Sequence, residues 1–335
     1  MKTLSALLLL ALPGMAAVTG TVVNRTTGQP QAGATVELNR LSQNGVEPIG
    51  QAKSDAQGRF SIGGEAQGSQ LLRVAFDGVT YFRTLPPGAP TADIALDVYA
   101  SSRQPGAAKV SKHMLFFEPS ASGRMAIQET FIYTNGGKTA WHDPGKGEMR
   151  FYLPAAAGGK AQVEATAPGG MPIPASLLKT SSADVMAVDF AIKPGETRFD
   201  VTYSAAYKPG EPYQGKVVTQ DENTYLIAPQ GVTLAGDGLS DLGTEPRSQA
   251  HIFGLPGSTY TIVLTGAGAA GPEPGAAAEP DAGPPIEAVP PRINGHAVPI
   301  LGLALAILAV GFALLYRQSP ALPPSSKEAN ERGRR

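Results

Sequence analysis

The chain contains no cysteine and carries almost no net charge. Without cysteine there can be no disulfide, no thiol nucleophile, no cysteine-ligated zinc and no lipidated N-terminal cysteine. The 27 basic residues are balanced by 28 acidic ones, so no overall field attracts nucleic acid and we expect no nucleic-acid partner. A secreted chain without disulfides depends on its hydrophobic cores, which must therefore be of domain size.

Histidine is scarce, and the usual motifs of metal sites and hydrolases are missing. The four histidines are His113, His142, His251 and His296, and none has a partner at helical metal-binding spacing. No G-x-S-x-G nucleophile motif occurs. We therefore predict no metal, no cofactor and no enzymatic activity. A hydrolase with an unrecognised site is the least favoured alternative.

The N-terminus has the layout of a secretory signal peptide. Lys2 precedes an apolar run from Leu4 to Leu12, which is followed by a Pro-Gly break and small residues. This run is much shorter than the ~20 residues that a helix needs to span a bilayer. The sequence predicts a signal peptide over residues 1–17, cleaved after Ala16 or Ala17.

A second apolar stretch, residues 298–316, contains no charged residue. As a helix it would be about 28 Å long, close to the ~30 Å thickness of the hydrocarbon core. The basic residues on its C-terminal side are Arg317, Lys327, Arg332, Arg334 and Arg335. Because Lys and Arg favour the cytoplasmic side, we predict a type I single-pass protein of the cell membrane. Residues 317–335 would then be a cytoplasmic tail, and the bulk of the chain would be periplasmic or extracellular.

The segment before this helix and the helix itself suggest how the anchor is used. Gly, Pro and Ala make up 20 of the 30 residues in 268–297, a composition that forms no core and is typical of a linker. If it were extended, the linker could reach about 90 Å from the bilayer. Small residues at Gly302 and Ala306 could let two helices approach closely, so a homodimer through the membrane helix is a further hypothesis.

Residues 18–100 alternate between apolar and polar side chains over short runs that turn residues separate. In GATVELN, Val36 and Leu38 share one face while Glu37 and Asn39 share the other. Alternation with a period of two predicts half-buried antiparallel strands, and no segment here shows the 3.6-residue period of a helix.

Seven residues at the turns and in the core of this segment form a motif. They are Gly20, Gly28, Pro30, Gly33, Asp55, Gly58 and Phe60. Glycines permit positive φ where hairpins reverse, Pro30 sets turn geometry, and Asp55 can accept backbone N–H bonds in the turn that Gly58 completes. With this motif the segment resembles the carboxypeptidase regulatory-like domain. The resemblance implies a transthyretin-like, seven-stranded β-sandwich of the kind that accompanies zinc enzymes without holding the zinc.

Residues 109–266 contain further short β-rich runs. In TRFDVTYSAAY, Phe199, Val201, Tyr203 and Tyr207 share one face. Eight to ten such strands predict a second β-sandwich, immunoglobulin-like in architecture. The predicted fold class is therefore all-β, with two tandem β-sandwiches and one C-terminal transmembrane helix.

The only tryptophan, Trp141, is followed by His142 and Asp143 in GGKTAWHDPGKGE, a sequence typical of a hairpin loop. An exposed tryptophan can stack on a sugar or anchor a partner protein, whereas a tryptophan near strand ends can also cap a sandwich core. Both interpretations stay open, and these three residues are the candidate ligand contact.

These features predict a binding or scaffolding protein of the cell envelope. Two β modules on a membrane-anchored stalk would present loops to a protein or carbohydrate ligand, and the partner would be an unknown envelope protein or glycan. The alternative is an accessory subunit of a membrane export, respiratory or cofactor-assembly complex. Fold alone does not decide between them.

Overall fold

A computed structural model describes residues 17–42, 45–64, 68–120, 122–219 and 224–266. This part of the chain is all-β, and its one helical segment is a single 3₁₀ turn at Ala155–Ala157. None of the helical structure in it is long and apolar enough to cross a membrane.

Several predictions from the sequence concern residues outside the described ranges. They are the signal peptide up to Ala16, the linker 268–297, the transmembrane helix 298–316 and the tail 317–335. Ala17 is the first residue of the first strand. The cleavage site, the anchor and its orientation therefore stay predictions.

The first region, residues 17–98, folds into two sheets. Its strands are β1 Ala17–Asn24, β2 Gln29–Pro30, β3 Thr35–Ser42, β4 Gly45–Lys53, β5 Arg59–Gly63, β6 Gln70–Phe76, β7 Val79–Leu85 and β8 Ile94–Val98. One sheet is antiparallel in the order β4-β3-β6-β7. The other is centred on β1, which pairs with β2 and β5 in antiparallel and with β8 in parallel. Apolar side chains from both sheets pack into one core.

The predicted alternation in β3 is confirmed at Val36 and Leu38, which are fully buried. It is wrong at Asn39, which was expected on the exposed face but is only 7% exposed. Two features account for this burial. The pairing of β3 with β4 shifts register between Leu38 and Asn39, and the outer face of the sheet at this point lines a groove that residues of the second region complete.

The turn residues of the motif adopt the predicted geometry. Gly28 and Gly33 have φ values of 76° and 73°, which only glycine adopts without strain. Asp55 Oδ1 accepts hydrogen bonds from the backbone N–H groups of Gln57 and Arg59 at 2.9 and 2.8 Å. These bonds, and the positive charge of Arg59, hold the pKa of Asp55 below its usual value.

The other motif residues allow β1 to lie close to its neighbouring strands in the second of these sheets. Phe60 is buried in the core, where its ring lies against Gly20 so closely that a Cβ on Gly20 would overlap it. Gly58 has a φ of 73° and lies against the carbonyl oxygen of Val22. Pro30 pairs with Val23 across β1 and β2.

In the second region, residues 101–266, the described residues form sixteen strands. They are β9 Ser101–Ser102, β10 Ala108–Pro119, β11 Arg124–Asn135, β12 Ala140–Trp141, β13 Met149–Tyr152, β14 Gln162–Thr166, β15 Ile173–Pro174, β16 Ser176–Lys179, β17 Val185–Asp189, β18 Gly195–Ala206, β19 Pro212–Lys216, β20 Thr224–Ala228, β21 Val232–Gly236, β22 Ser240–Thr244, β23 His251–Leu255 and β24 Thr259–Gly266. An eight-stranded sheet has the order β15-β14-β18-β11-β10-β20-β23-β22, and two three-stranded sheets have the orders β13-β17-β16 and β19-β24-β21. The short strands β9 and β12 form a parallel pair.

The core of the second region contains polar groups among its apolar ones. Phe199, Val201 and Tyr203 face inward as β18 was predicted to place them. Glu129 is also buried, and it accepts a hydrogen bond from the Tyr203 hydroxyl at 2.7 Å. His113 Nε2 lies 3.3 Å from the same carboxylate. A buried carboxylate with these partners is satisfied in the way that burial requires.

Both regions lie in one compact unit and are joined by direct contacts. The Thr26 hydroxyl donates to the Lys138 carbonyl at 2.5 Å, and Lys193 Nζ donates to the Thr80 carbonyl at 2.5 Å. Ala140, at the start of β12, packs into the core of the first region. The segment that leads to Trp141 is therefore held at the boundary between the regions.

Candidate functional site beside Trp141

Trp141 ends a strand that has neighbours on both sides. β12 pairs in parallel with β9, and Trp141 exchanges two backbone hydrogen bonds, each of 2.9 Å, with Ile192. The sequence indicated a hairpin loop at Trp141, but the residue lies in a short strand that pairs with β9 on one side and forms an isolated bridge with Ile192 on the other. This arrangement fixes the backbone from which His142 and Asp143 follow.

The Trp141 ring covers the core and also faces a cleft. It is half-buried, packs against the core of the second region and lies 6.4 Å from the Tyr133 ring. Its indole nitrogen has no contact with solvent, and no acceptor among the described residues meets it. Trp141 therefore lines the cleft without offering its N–H group to a molecule there. A role of Trp141 in binding stays a prediction.

Glu148 organises the loop that follows Trp141. Its Oε1 accepts a hydrogen bond from the Asp143 N–H at 2.6 Å, and its Oε2 accepts one from the Phe190 N–H at 2.9 Å. His142 Nδ1 lies 2.9 Å from Oε1. Gly147 precedes it with a φ of 72°, in a position where a Cβ would press on the Val188 carbonyl. Glu148 thus ties the loop to the end of β17, although the sequence analysis did not single it out.

The cleft beside Trp141, which we call the basic cleft, has a volume of about 710 Å³. Its charged lining residues are Arg103, Lys109, Lys146, Arg150, Asp143 and Glu148. Lys146 pairs with Asp143 at 3.8 Å, and Glu148 is occupied by backbone donors. Among the described residues no carboxylate lies within ion-pair distance of the other three basic groups. The cleft therefore combines an aromatic side chain with three basic groups that are available to an anion.

A second depression, which we call the apolar groove, lies where residues of both regions meet and has a volume of about 560 Å³. The first region contributes Val46 and Phe82, which are 59% and 46% exposed. The second contributes Met171 and Ile173, which are 59% and 38% exposed. Exposed apolar groups gathered in one place often mark a protein contact.

Lys193 lines the apolar groove and is buried at the boundary between the regions. Its Nζ lies 4.9 Å from the centre of the Tyr81 ring and 5.5 Å from that of the Phe82 ring. Burial lowers the pKa of Lys193 to about 8, because removing an ammonium group from water disfavours its charged form.

The histidines have different partners from those that a search by sequence spacing would find. His113 meets Glu129 on the neighbouring strand, and His251 Nε2 lies 2.7 Å from Asp241 on an exposed hairpin. His142 meets both Glu148 and Asp189, and one ligand atom from each of these three lies within 4.8 Å of the others. Within the described part of the chain, this last group is the one whose side chains could hold a metal ion.

Comparison with known families identifies the first region. The model of the carboxypeptidase regulatory-like domain matches residues 17–98. Residues 17–98 are a carboxypeptidase regulatory-like domain. The resemblance read from the glycine and turn motif is confirmed, and the matched domain is regulatory-like rather than catalytic. No curated protein matches the chain in sequence.

Similar solved structures include an M1 zinc metallopeptidase from Deinococcus radiodurans, as a mutant bound to a Tyr-Ser-Ala substrate. It shares 13% identity with a TM-score of 0.27, over 47% of this chain and 42% of that one. A candidate protease from Parabacteroides distasonis shares 10% identity with a TM-score of 0.27, over 50% of this chain and 37% of that one. This chain spans less than half the length of these structures, and scores of this size support no inference about its fold or activity.

Proposed function

We propose that this protein is a non-enzymatic, membrane-anchored envelope protein whose basic cleft binds an acidic carbohydrate. The observation that carries the proposal is the combination of the Trp141 ring with Arg103, Lys109 and Arg150, which have no carboxylate partner among the described residues. An aromatic face can stack on a sugar ring, and guanidinium and ammonium groups bind carboxylate, sulfate or phosphate substituents.

In this proposal the carboxypeptidase regulatory-like domain is a transthyretin-like sandwich and the second region is an immunoglobulin-like one. The signal peptide 1–17 exports the chain, the helix 298–316 anchors it with the tail 317–335 in the cytoplasm, and the linker 268–297 carries the sandwiches away from the bilayer. The support for this arrangement is the apolar span with basic residues on its C-terminal side. Both modules would then face the periplasm or the cell exterior.

Titration of the full-length protein in detergent with polysaccharides tests the proposed ligand class. Polygalacturonate and heparin serve as acidic probes, and dextran serves as the neutral one. We expect saturable binding of an acidic probe that weakens as salt is raised, because salt screens exposed charges, and no binding of dextran. Replacing Arg103, Lys109 and Arg150 together by Gln should weaken binding at least tenfold.

A variant with the same change in charge elsewhere is the control. Lys53, Lys160 and Lys179 are exposed and do not line the cleft, so their replacement by Gln should leave the affinity unchanged. Equal losses in the two triple variants, or no binding of either acidic probe, would contradict the proposed ligand class.

A second candidate function is that of an accessory subunit of a membrane complex. The apolar groove favours it, since Val46, Phe82, Met171 and Ile173 come together there from both regions. Under this hypothesis the double variant Phe82→Asp and Met171→Asp should release the protein from a native membrane complex, as seen by its migration in native gels. Binding of polysaccharide should be unaffected. An unchanged migration would count against the subunit hypothesis.

A further inference from the structure

Three side chains of the types that bind metal ions converge next to Trp141. His142 Nδ1 lies 2.9 Å from Glu148 Oε1 and 4.0 Å from Asp189 Oδ1. His142 follows β12, Glu148 precedes β13 and Asp189 ends β17. The loop between β12 and β13 therefore supplies His142 and Glu148, and the end of β17 supplies Asp189, so the fold brings the third side chain to the other two.

The carboxylates of this cluster outnumber the positive charges available to them. The Glu148 side chain is fully buried, whereas that of Asp189 is 30% exposed. In the described part of the chain, His142 is the only basic side chain within ion-pair distance of either carboxylate. Even a protonated imidazole would leave one negative charge unbalanced, and a buried carboxylate without a counter-charge is costly. A divalent cation would balance both carboxylates.

The buried carboxylate is also held in a fixed orientation by groups that cannot compete for a metal. The backbone N–H groups of Asp143 and Phe190 donate to its two oxygens. An ionised carboxylate has about four acceptor positions, so these two bonds leave acceptor positions free on both oxygens. Hydrogen bonds of this kind orient metal-binding carboxylates and raise the affinity of the site.

The geometry points to a binding site for one divalent transition-metal ion of the zinc type, formed by His142, Glu148 and Asp189. Ligand atoms at the ~2.1 Å bond lengths of tetrahedral zinc are roughly 3.4 Å apart. The separations of 2.9 and 4.0 Å bracket that value, and rotation of the partly exposed Asp189 side chain would even them out. His142 and Asp189 both line the apolar groove, from which water can supply a fourth ligand.

This site does not depend on the proposed carbohydrate ligand. The alternative to a bound metal ion is an ion pair within the cluster. A proton on His142 would turn the cluster into an ion pair with Glu148, without any metal. The two cases separate by their response to metal ions at constant pH, since an ion pair formed by a proton gives no saturable metal binding.

Trp141 gives a direct readout because it is the only tryptophan of the chain and the neighbour of His142. Full-length protein in detergent, stripped with a chelator, is titrated with Co²⁺ while the indole fluorescence is followed. We expect saturable quenching with one site per chain, reversal of the quenching by Zn²⁺, and the same stoichiometry by calorimetry. His142→Ala and Asp189→Asn should each weaken Co²⁺ binding at least tenfold, whereas Asp189→His, which restores a ligand, should bind more tightly than Asp189→Asn.

The control is the other histidine that meets a carboxylate near the surface. His251 pairs with Asp241, so His251→Ala removes an imidazole without touching the proposed site and should leave Co²⁺ binding unchanged. Glu148→Gln makes a poorer test, because Glu148 also accepts the backbone hydrogen bonds that hold the loop, so its replacement changes the loop as well as the proposed site. The inference would be overturned by the absence of saturable quenching, by equal binding in wild type and Asp189→Asn, or by loss of binding in His251→Ala.

Discussion

The two regions differ in how their cores are filled. The core of the first region is aliphatic apart from Phe60 and Tyr81, and among the described residues no charged side chain is buried in it. The core of the second region contains several tyrosines and the carboxylate of Glu129. Burial, followed by the negative charge of Glu129, raises the pKa of the Tyr203 hydroxyl well above its ordinary value.

The two cores therefore depend on different physical requirements. An apolar core depends on volume and close approach, so its weak points are positions where one extra carbon does not fit. A core with a polar network depends on every partner being present, because a buried group that loses its partner bears its full desolvation cost. Substitutions in each core and at the boundary between the regions should therefore have different effects.

The largest effect should come from breaking the polar network of the second region. Glu129→Ala removes the acceptor of the Tyr203 hydroxyl and the partner of His113. A buried polar group left without its partner costs about 1–3 kcal/mol, and because two groups lose their partner here the total is roughly 3–5 kcal/mol. We expect the free energy of unfolding, measured by urea titration with Trp141 fluorescence, to fall by that amount.

The adjacent residue supplies the control for this variant. Gln128 precedes Glu129 in β11 but points outward and is exposed, so Gln128→Ala should change the free energy of unfolding by less than about 0.5 kcal/mol. Should Glu129→Ala be as mild as Gln128→Ala, the network would not stabilise the second region in the way proposed.

The same contrast explains how much of each region the sequence could predict. In the first region, period-two alternation and glycines at turns determine the structure locally, so the strand faces of Val36 and Leu38 and the turns at Gly28 and Gly33 were correct. The error at Asn39 arose because the pairing of β3 with β4 shifts register there, and because residues of the second region complete a groove over this face of the sheet. No local pattern contains that information.

The candidate site shows more clearly which residues a sequence pattern cannot predict. Trp141, His142 and Asp143 stand out because they are rare types in one loop-like sequence, but Glu148 looks like any surface acid after a glycine turn. Asp189 is separated from His142 by 47 residues along the chain, and only the sheet β13-β17-β16 brings its end near. Spacing rules designed for helices could not find a cluster whose members are this far apart in sequence.

The first region should be most sensitive to added volume at Gly20. A Cβ there would overlap the Ile94 carbonyl oxygen and the Phe60 ring. Because the atom it meets is backbone, β1 and β8 must separate, and we expect Gly20→Ala to cost about 3 kcal/mol, the upper end of the usual range for overpacking. Gly63→Ala is the matched control, since Gly63 lies opposite Ala17 in β5 and nothing lies within 4 Å of its added Cβ. Similar unfolding curves for the two variants would contradict the close-packing account.

The smallest effect should come from the boundary between the regions, and it should depend on pH. Burial lowers the pKa of Lys193 to about 8, whereas in the unfolded chain a lysine has a pKa of about 10.4. Between these values the unfolded chain binds more protons than the folded one, so the free energy of unfolding rises with pH. From pH 8 to pH 10 the contribution of Lys193 should be about 2 kcal/mol, measured as the difference between the wild type and Lys193→Met.

Two features distinguish this gain from other titrations. Lys193→Met keeps the aliphatic packing against Tyr81 and removes the titrating group, so the rise between pH 8 and pH 10 should vanish in that variant. From about pH 9 upward an opposing fall sets in, because burial raises the pKa of Tyr81 and of Tyr203 and the unfolded chain loses protons that the folded chain keeps. This fall is common to both proteins and cancels in their difference. Urea titrations of both proteins at several pH values measure the difference directly. A rise of equal size in Lys193→Met would show that the boundary lysine is not its source and that the two regions respond to pH elsewhere.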